Sequence, residues 1–196
     1  MRETIRPRIL ALLACLLVAP TAHSAVVITA VETGGDVVFS MAAGQSIDTS
    51  GLSYVGTIGE IARVKADIGL VTLGPENIFD GVVFTGDQYT GVTAPDNFGP
   101  GGNFYATDSS GVIIGVDRNG SLVLPRNYVS NSLLGASSIS FEGQTFASMG
   151  ITAGNYVYDL GGVDTLTLQV VPIPAAVWLF GSALAGLGWI RRRQTA

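Results

Sequence analysis

The chain has 196 residues, which suits one domain with short accessory segments, and its charges are unevenly placed: residues 25–171 hold four basic side chains (Arg63, Lys65, Arg118 and Arg126) against fourteen acids, a balance of ten negative charges. Such a surface repels phosphate polymers, whose counterions must be replaced by protein cations, so nucleic acid is excluded as a partner. The only cysteine, Cys15, and the only histidine, His23, precede residue 25, which excludes disulfides, thiol or imidazole catalysis and Cys/His metal sites from everything after it.

Residues 1–8 are basic through Arg2, Arg6 and Arg8, and residues 9–19 (ILALLACLLVA) are wholly apolar. A helix over that run is roughly 16 Å long, too short for a hydrocarbon core of about 30 Å. Pro20 stops it, and Ala22, His23 and Ser24 set small residues at the −3 and −1 positions of a cleavage site. This order of charge, apolar run and small residues is that of a secretory signal peptide over residues 1–24, cut between Ser24 and Ala25.

Short apolar or alternating runs then follow, separated by Gly, Asn, Asp, Ser and Pro. Residues 26–31 and 37–41 flank Gly34-Gly35 and predict a hairpin. Residues 68–73 form a strand stopped by Gly74 and Pro75, and residues 82–85 one stopped by Gly86-Asp87. Runs 111–116 and 121–124 flank Asp117-Arg118-Asn119-Gly120, a second hairpin signal because Asn-Gly adopts the positive φ of type I′ turns. Residues 138–141, 156–159 and 165–170 complete the set, while helical spacing is limited to single turns at 60–66 and 144–149. The expected fold is all-β, an antiparallel β-sandwich or jelly roll over residues 25–170, and residues 90–103 are a long turn-rich loop. A doubly wound α/β fold is disfavoured because no amphipathic helices of 10–15 residues lie between the strands.

After Val171, Pro172, Ile173 and Pro174, residues 175–190 are apolar with Ser182 as the one polar interruption, and Arg191, Arg192 and Arg193 follow. The 175–190 segment is expected as a transmembrane helix of roughly 24 Å. The three arginines are its membrane-stop charges and favour the cytoplasmic side, which leaves the acidic body outside the inner membrane.

The succession Val171, Pro172, Ile173, Pro174, Ala175, Ala176, Val177 and Trp178, then an apolar helix, then three arginines, resembles the PEP-CTERM protein-sorting signal in its VPLPA variant. Ile173 stands where the name-giving Pro-Glu-Pro motif has glutamate. The resemblance covers the tail, residues 171–196. It implies an exosortase-type processing enzyme as partner, residence in the inner membrane, cleavage near the Pro-x-Pro site, and routing to the cell surface or an exopolysaccharide matrix. More loosely, residues 25–171 resemble a group of small exported proteins that carry this tail, a group that brings no biochemical activity with it.

Candidate chemistry in the body is sparse. Fourteen acids permit many pairs, but no spacing predicts two converging carboxylates of the kind glycosidases use. Lys65 is the sole lysine and no Gly-x-Ser-x-Gly elbow is present, so no enzyme activity and no cofactor are expected. Asp117 and Asn119 hold a fragment of calcium-loop spacing, although Ser121 and Tyr128 stand where a further oxygen donor and the distal glutamate belong. Gly99-Pro100-Gly101-Gly102 precedes neither a helix nor a lysine, so it cradles no phosphate. Tyr89, Phe98, Phe104 and Tyr105 gather around the long loop, either as packing aromatics or as rings on which sugars stack. The expectation is a structural or interaction protein of the surface or matrix; the alternative is a glycan- or calcium-binding surface module using the 87–108 region.

Overall fold

A computed structural model describes residues 25–74, 84–117 and 119–172. The segments expected as a signal peptide, 1–24, and as a tail helix, 175–190, lie outside these residues. Among the described residues the fold is all-β, with two seven-stranded sheets over one hydrophobic core.

The first sheet is built on β1 (Val26–Thr33) and β2 (Asp36–Met41). Thr33 faces Asp36, so Gly34 and Gly35 make the whole turn, with φ of 65° and 96°. Those values belong to the type I′ turn that matches the twist of the strands, and glycine adopts them without a Cβ clash. The order across this sheet is β7 (Val92–Thr93), β13 (Gly154–Leu160), β14 (Asp164–Val171), β1, β2, β12 (Ser137–Phe141) and β9 (Asp108–Gly111). The second sheet runs β3 (Ser53–Glu60), β6 (Phe84–Thr90), β11 (Leu122–Pro125), β10 (Ile114–Val116), β5 (Leu70–Leu73), β4 (Arg63–Lys65) and β8 (Asn103–Tyr105).

Strict alternation in β1 and β14 turns Val26, Ile28 and Ala30, and Leu166, Leu168 and Val170, into the core. The middle strands β5, β10 and β11 are instead buried along almost their whole length, which explains their unbroken apolar runs. Phe39 and Phe141 meet edge to face, with centroids 5.8 Å apart, where β2 and β12 pair. Burying an aromatic side chain of this kind is worth about 2–3 kcal/mol in transfer free energy alone.

Several sequence expectations need correction. The pairing is antiparallel at every other described ladder, but β1 and β14 run parallel, Val26 facing Leu166 and Val31 facing Val171. The run 111–116 is two strands. Gly111 ends β9 in the first sheet and Ile114 starts β10 in the second, so the chain changes sheets at Val112 and Ile113. Gly86-Asp87 does not stop a strand but lies inside β6, and a Cβ on Gly86 would come within 2.6 Å of Val123 and 2.7 Å of the Leu124 carbonyl. Segment 60–66 is the end of β3, then β4, with a single 3₁₀ turn only at Ala66–Ile68.

At 144–149 one helical turn does form. Gly150, at φ 61°, donates to the Ala147 carbonyl and Ile151 donates to the Phe146 carbonyl, which is the Schellman way of ending a helix. The long loop is partly a strand, since β7 pairs with β13 through Val92 and Thr93. Its glycines serve close backbone approach: Gly101 donates to the Gly150 carbonyl at 3.0 Å, and a Cβ on Gly101 would lie 1.8 Å from the Met149 carbonyl oxygen.

Candidate functional site

The two regions where processing is expected from the sequence flank the central strands of the first sheet. Ala25, half-buried, directly precedes β1; Ser24 is outside the described residues. Ala25 lines a shallow cleft of about 240 Å³ with Asp159, Gly162, Val163, Asp164 and Thr165. Val171, 40% exposed, is both the last residue of β14 and the first residue of the stretch expected as a sorting motif. Pro172 follows it, exposed. Ile173, Pro174, Ala175, Ala176, Trp178, Arg191, Arg192 and Arg193 lie outside the described residues.

Asp117 and Asn119 are not brought together as cation ligands. Asp117 is buried and its carboxylate is already engaged: Oδ1 accepts the backbone N–H groups of Asn119 (2.7 Å) and Ser121 (2.9 Å), and Oδ2 accepts the Gln88 amide (2.6 Å). Asn119 is exposed. The turn here differs from a two-residue type I′ turn. Asp117 N donates to the Ser121 carbonyl, so three residues separate the ends, and Gly120 takes the left-handed position at φ 70°. That is the three-residue hairpin loop with a glycine bulge, which Asp117 caps from within. Among the described residues no three His, Cys, Asp or Glu side chains are placed to hold a metal ion.

The four loop aromatics separate in the same way. Phe98 is fully buried and packs at 5.8 Å on Tyr156, Tyr89 is buried against the core, and Phe104 is partly buried; Tyr105 alone is half exposed. Of the four, Tyr105 is the most exposed. Burial raises the pKa of the Tyr89 phenol, helped by the nearby Asp87 charge.

What sequence reasoning missed is the work of the acids. Asp36 accepts the N–H of Gly143 (2.9 Å), Asp48 that of Ser50 (2.9 Å), Asp87 that of Asn127 (2.7 Å) and Asp159 that of Gly162 (2.7 Å). Asp164 accepts from Asp48 N (2.8 Å) and Thr165 N (2.7 Å), and Glu32 accepts from Phe146 N. With Asp117, seven carboxylates thus hold backbone donors. A carboxylate is the strong acceptor for such donors because the bond is charge-assisted. At Asp48 the Ser50 N–H, with further help from the Ser50, Ser130 and Asn131 side chains, holds the carboxyl pKa at about 2.

Around Asp48 a tyrosine clamp fixes two loops. The Tyr128 hydroxyl accepts the N–H of Ile47 (2.8 Å) and lies within hydrogen-bond distance of the carbonyls of Ile47 and Ser132. Asn127 and Asn131 flank it in left-handed backbone, at φ 59° and 65°. An Asn in a turn signals such a position only weakly, so Asn127 and Asn131 were the available clues. The arrangement as a whole binds loops to strands: its acids face N–H donors, not one another across a cleft.

No protein-family model, curated protein or solved structure matches this chain.

Proposed function

We propose that the chain is an exported protein of the cell envelope, a substrate for exosortase-type C-terminal sorting, with a structural or interaction role at the surface or in an extracellular matrix. The observation that carries this is the strict succession at the end of the chain: Val171-Pro172-Ile173-Pro174, an apolar stretch, and Arg191, Arg192 and Arg193. The basic, apolar and small-residue order of residues 1–24 supports the same topology independently.

The fold is compatible with that route. Because β14 ends at Val171, a cut near Pro174 releases the domain with its last strand whole. Because β1 and β14 are parallel, Val26 lies level with Leu166, and Val171 is farther along by five residues, roughly 17 Å at the rise of a parallel strand. The chain therefore enters β1 and leaves β14 at opposite ends of the sheet, an arrangement that suits removal of the leading segment while the trailing one still holds the domain. The jelly-roll variant of the sandwich is part of this proposal, as is a role without catalysis, supported by the engagement of seven of the fourteen acids, Asp117, Asp87 and Asp164 among them, as loop caps.

Mass spectrometry of the protein from its native envelope tests the reading. The expected product starts at Ala25 and ends between Pro172 and Ala175. A surface-exposed product that retains Arg193, or a reporter after Ala196 found on the outer side of the inner membrane, refutes it.

A further inference from the structure

Among the described residues four strands end the two sheets, and they differ in length: β7 has two residues, β8 three, β9 four and β3 eight. The first three are too short to template another chain. β3 is not, and from Ser53 to Gly59 it carries no charge. Tyr54 is 57% and Val55 53% exposed on it. Exposed edges are commonly blunted by lysine, proline or a covering segment, because a row of free N–H and C=O groups invites pairing. The guard visible in β3 is a bulge that shifts the register between Tyr54 and Gly56. Beyond it, Gly56 to Glu60 pair in steady register with Gln88 to Phe84, and among the described residues no strand pairs with the other edge of β3.

We propose that this edge pairs antiparallel with the same edge of a second copy, about a two-fold axis at Thr57 or Ile58, so that the two β3 strands join their sheets into one. Charge selects the place and the partner. The domain carries a large negative surplus, so two copies approach most easily where neither presents a charge, and β3 is the long edge that meets this condition. The two-fold arrangement also keeps Glu60 apart from its symmetry mate by about 14–20 Å at a rise of ~3.4 Å per residue, well beyond a Debye length of ~8 Å. Glu60 is in any case turned inward and paired with Arg63 at 3.3 Å. A charged foreign strand would gain no counter-charge from Ser53 to Gly59, whereas an identical neutral edge satisfies donors and acceptors on both sides. Edge pairing alone buries less than the roughly 1,200 Å² of a stable interface, so the dimer depends on concentration.

Sedimentation of the full chain in detergent, carrying Cys15→Ser, tests this. The expected mass moves from one copy to two as concentration rises, and Thr57→Lys, which brings two ammonium groups together beside the two-fold axis, weakens the association at least tenfold. Cysteine substitution reads the same contact without relying on that variant: with Cys15 gone, Thr57→Cys or Ile58→Cys forms a disulfide-linked dimer under mild oxidation, and the exposed loop position Val129→Cys does not. A single-copy mass at every concentration, cross-linking at neither β3 position above the Val129→Cys level, or a dimer untouched by Thr57→Lys overturns the proposal. The proposal stands or falls apart from the sorting reading, since neither measurement depends on processing.

Discussion

Replacing Asp117 by alanine separates its two possible occupations, loop cap and cation ligand. The variant removes the acceptor for three N–H donors: those of Asn119, Ser121 and the Gln88 side chain. Asn119 is exposed and rehydrates at little cost, but Ser121 is buried and its N–H is left without its acceptor. An orphaned buried donor costs about 1–3 kcal/mol, and loss of a charge-assisted bond to Gln88 adds about 1 kcal/mol after water takes part of its place. The expected loss is therefore about 3 kcal/mol, or a fall in Tm of roughly 6–12 °C for a domain near 150 residues. Asp117→Asn keeps an oxygen for the two backbone donors and loses only about 1 kcal/mol. Urea unfolding and thermal melts in calcium and in chelator read both quantities. The cap predicts that calcium shifts neither the parent nor the variants. A loss below about 1 kcal/mol in Asp117→Ala, or a calcium-dependent rise in the parent Tm that the variant abolishes, refutes the reasoning.

Two further outcomes follow from the same loops. Asp48 has its pKa lowered from 3.8 to about 2 in the folded chain, so its stabilising effect is complete above pH 4 and is lost as pH falls toward 2; Asp48→Asn flattens the acid limb of a Tm-against-pH curve over that window, and an unchanged limb contradicts the assignment. Gly101→Ala forces the 98–101 segment off the Met149–Thr152 turn, since its Cβ would meet the Met149 carbonyl at 1.8 Å, and should cost more than about 3 kcal/mol, with hydrogen exchange rising first at Gly101 and Thr152.

The elements legible from sequence were those whose cause is local. The β1–β2 hairpin needs only two β-branched runs and Gly34-Gly35 between them, and β14 needs only the alternation of Leu166, Leu168 and Val170. The change of sheet after Gly111 was hidden because Val112 and Ile113 keep the run apolar while the backbone turns; Gly111, at φ 93° and with a Cβ position only 2.0 Å from the Ala136 carbonyl, was the one clue. Asp87 beside Gly86 looks like a turn, yet its carboxylate closes on Asn127 forty positions later, and Asp36 reaches Gly143 across 107. Which acid caps which loop is a property of the closed fold. Between the readings open at Asp117 and at Phe98, spacing could not choose for the same reason: it cannot say that both side chains face inward.

The parallel contact between β1 and β14 also sets a clock. The first strand made must lie against the last, so the central sheet cannot zip up until residue 171 exists. At a synthesis rate of about 5–20 residues per second, the chain spends roughly 7–28 s with β1 finished and β14 still to come. Throughout that interval β1 has β2 on one side and nothing yet on the other, where β14 will close the sheet.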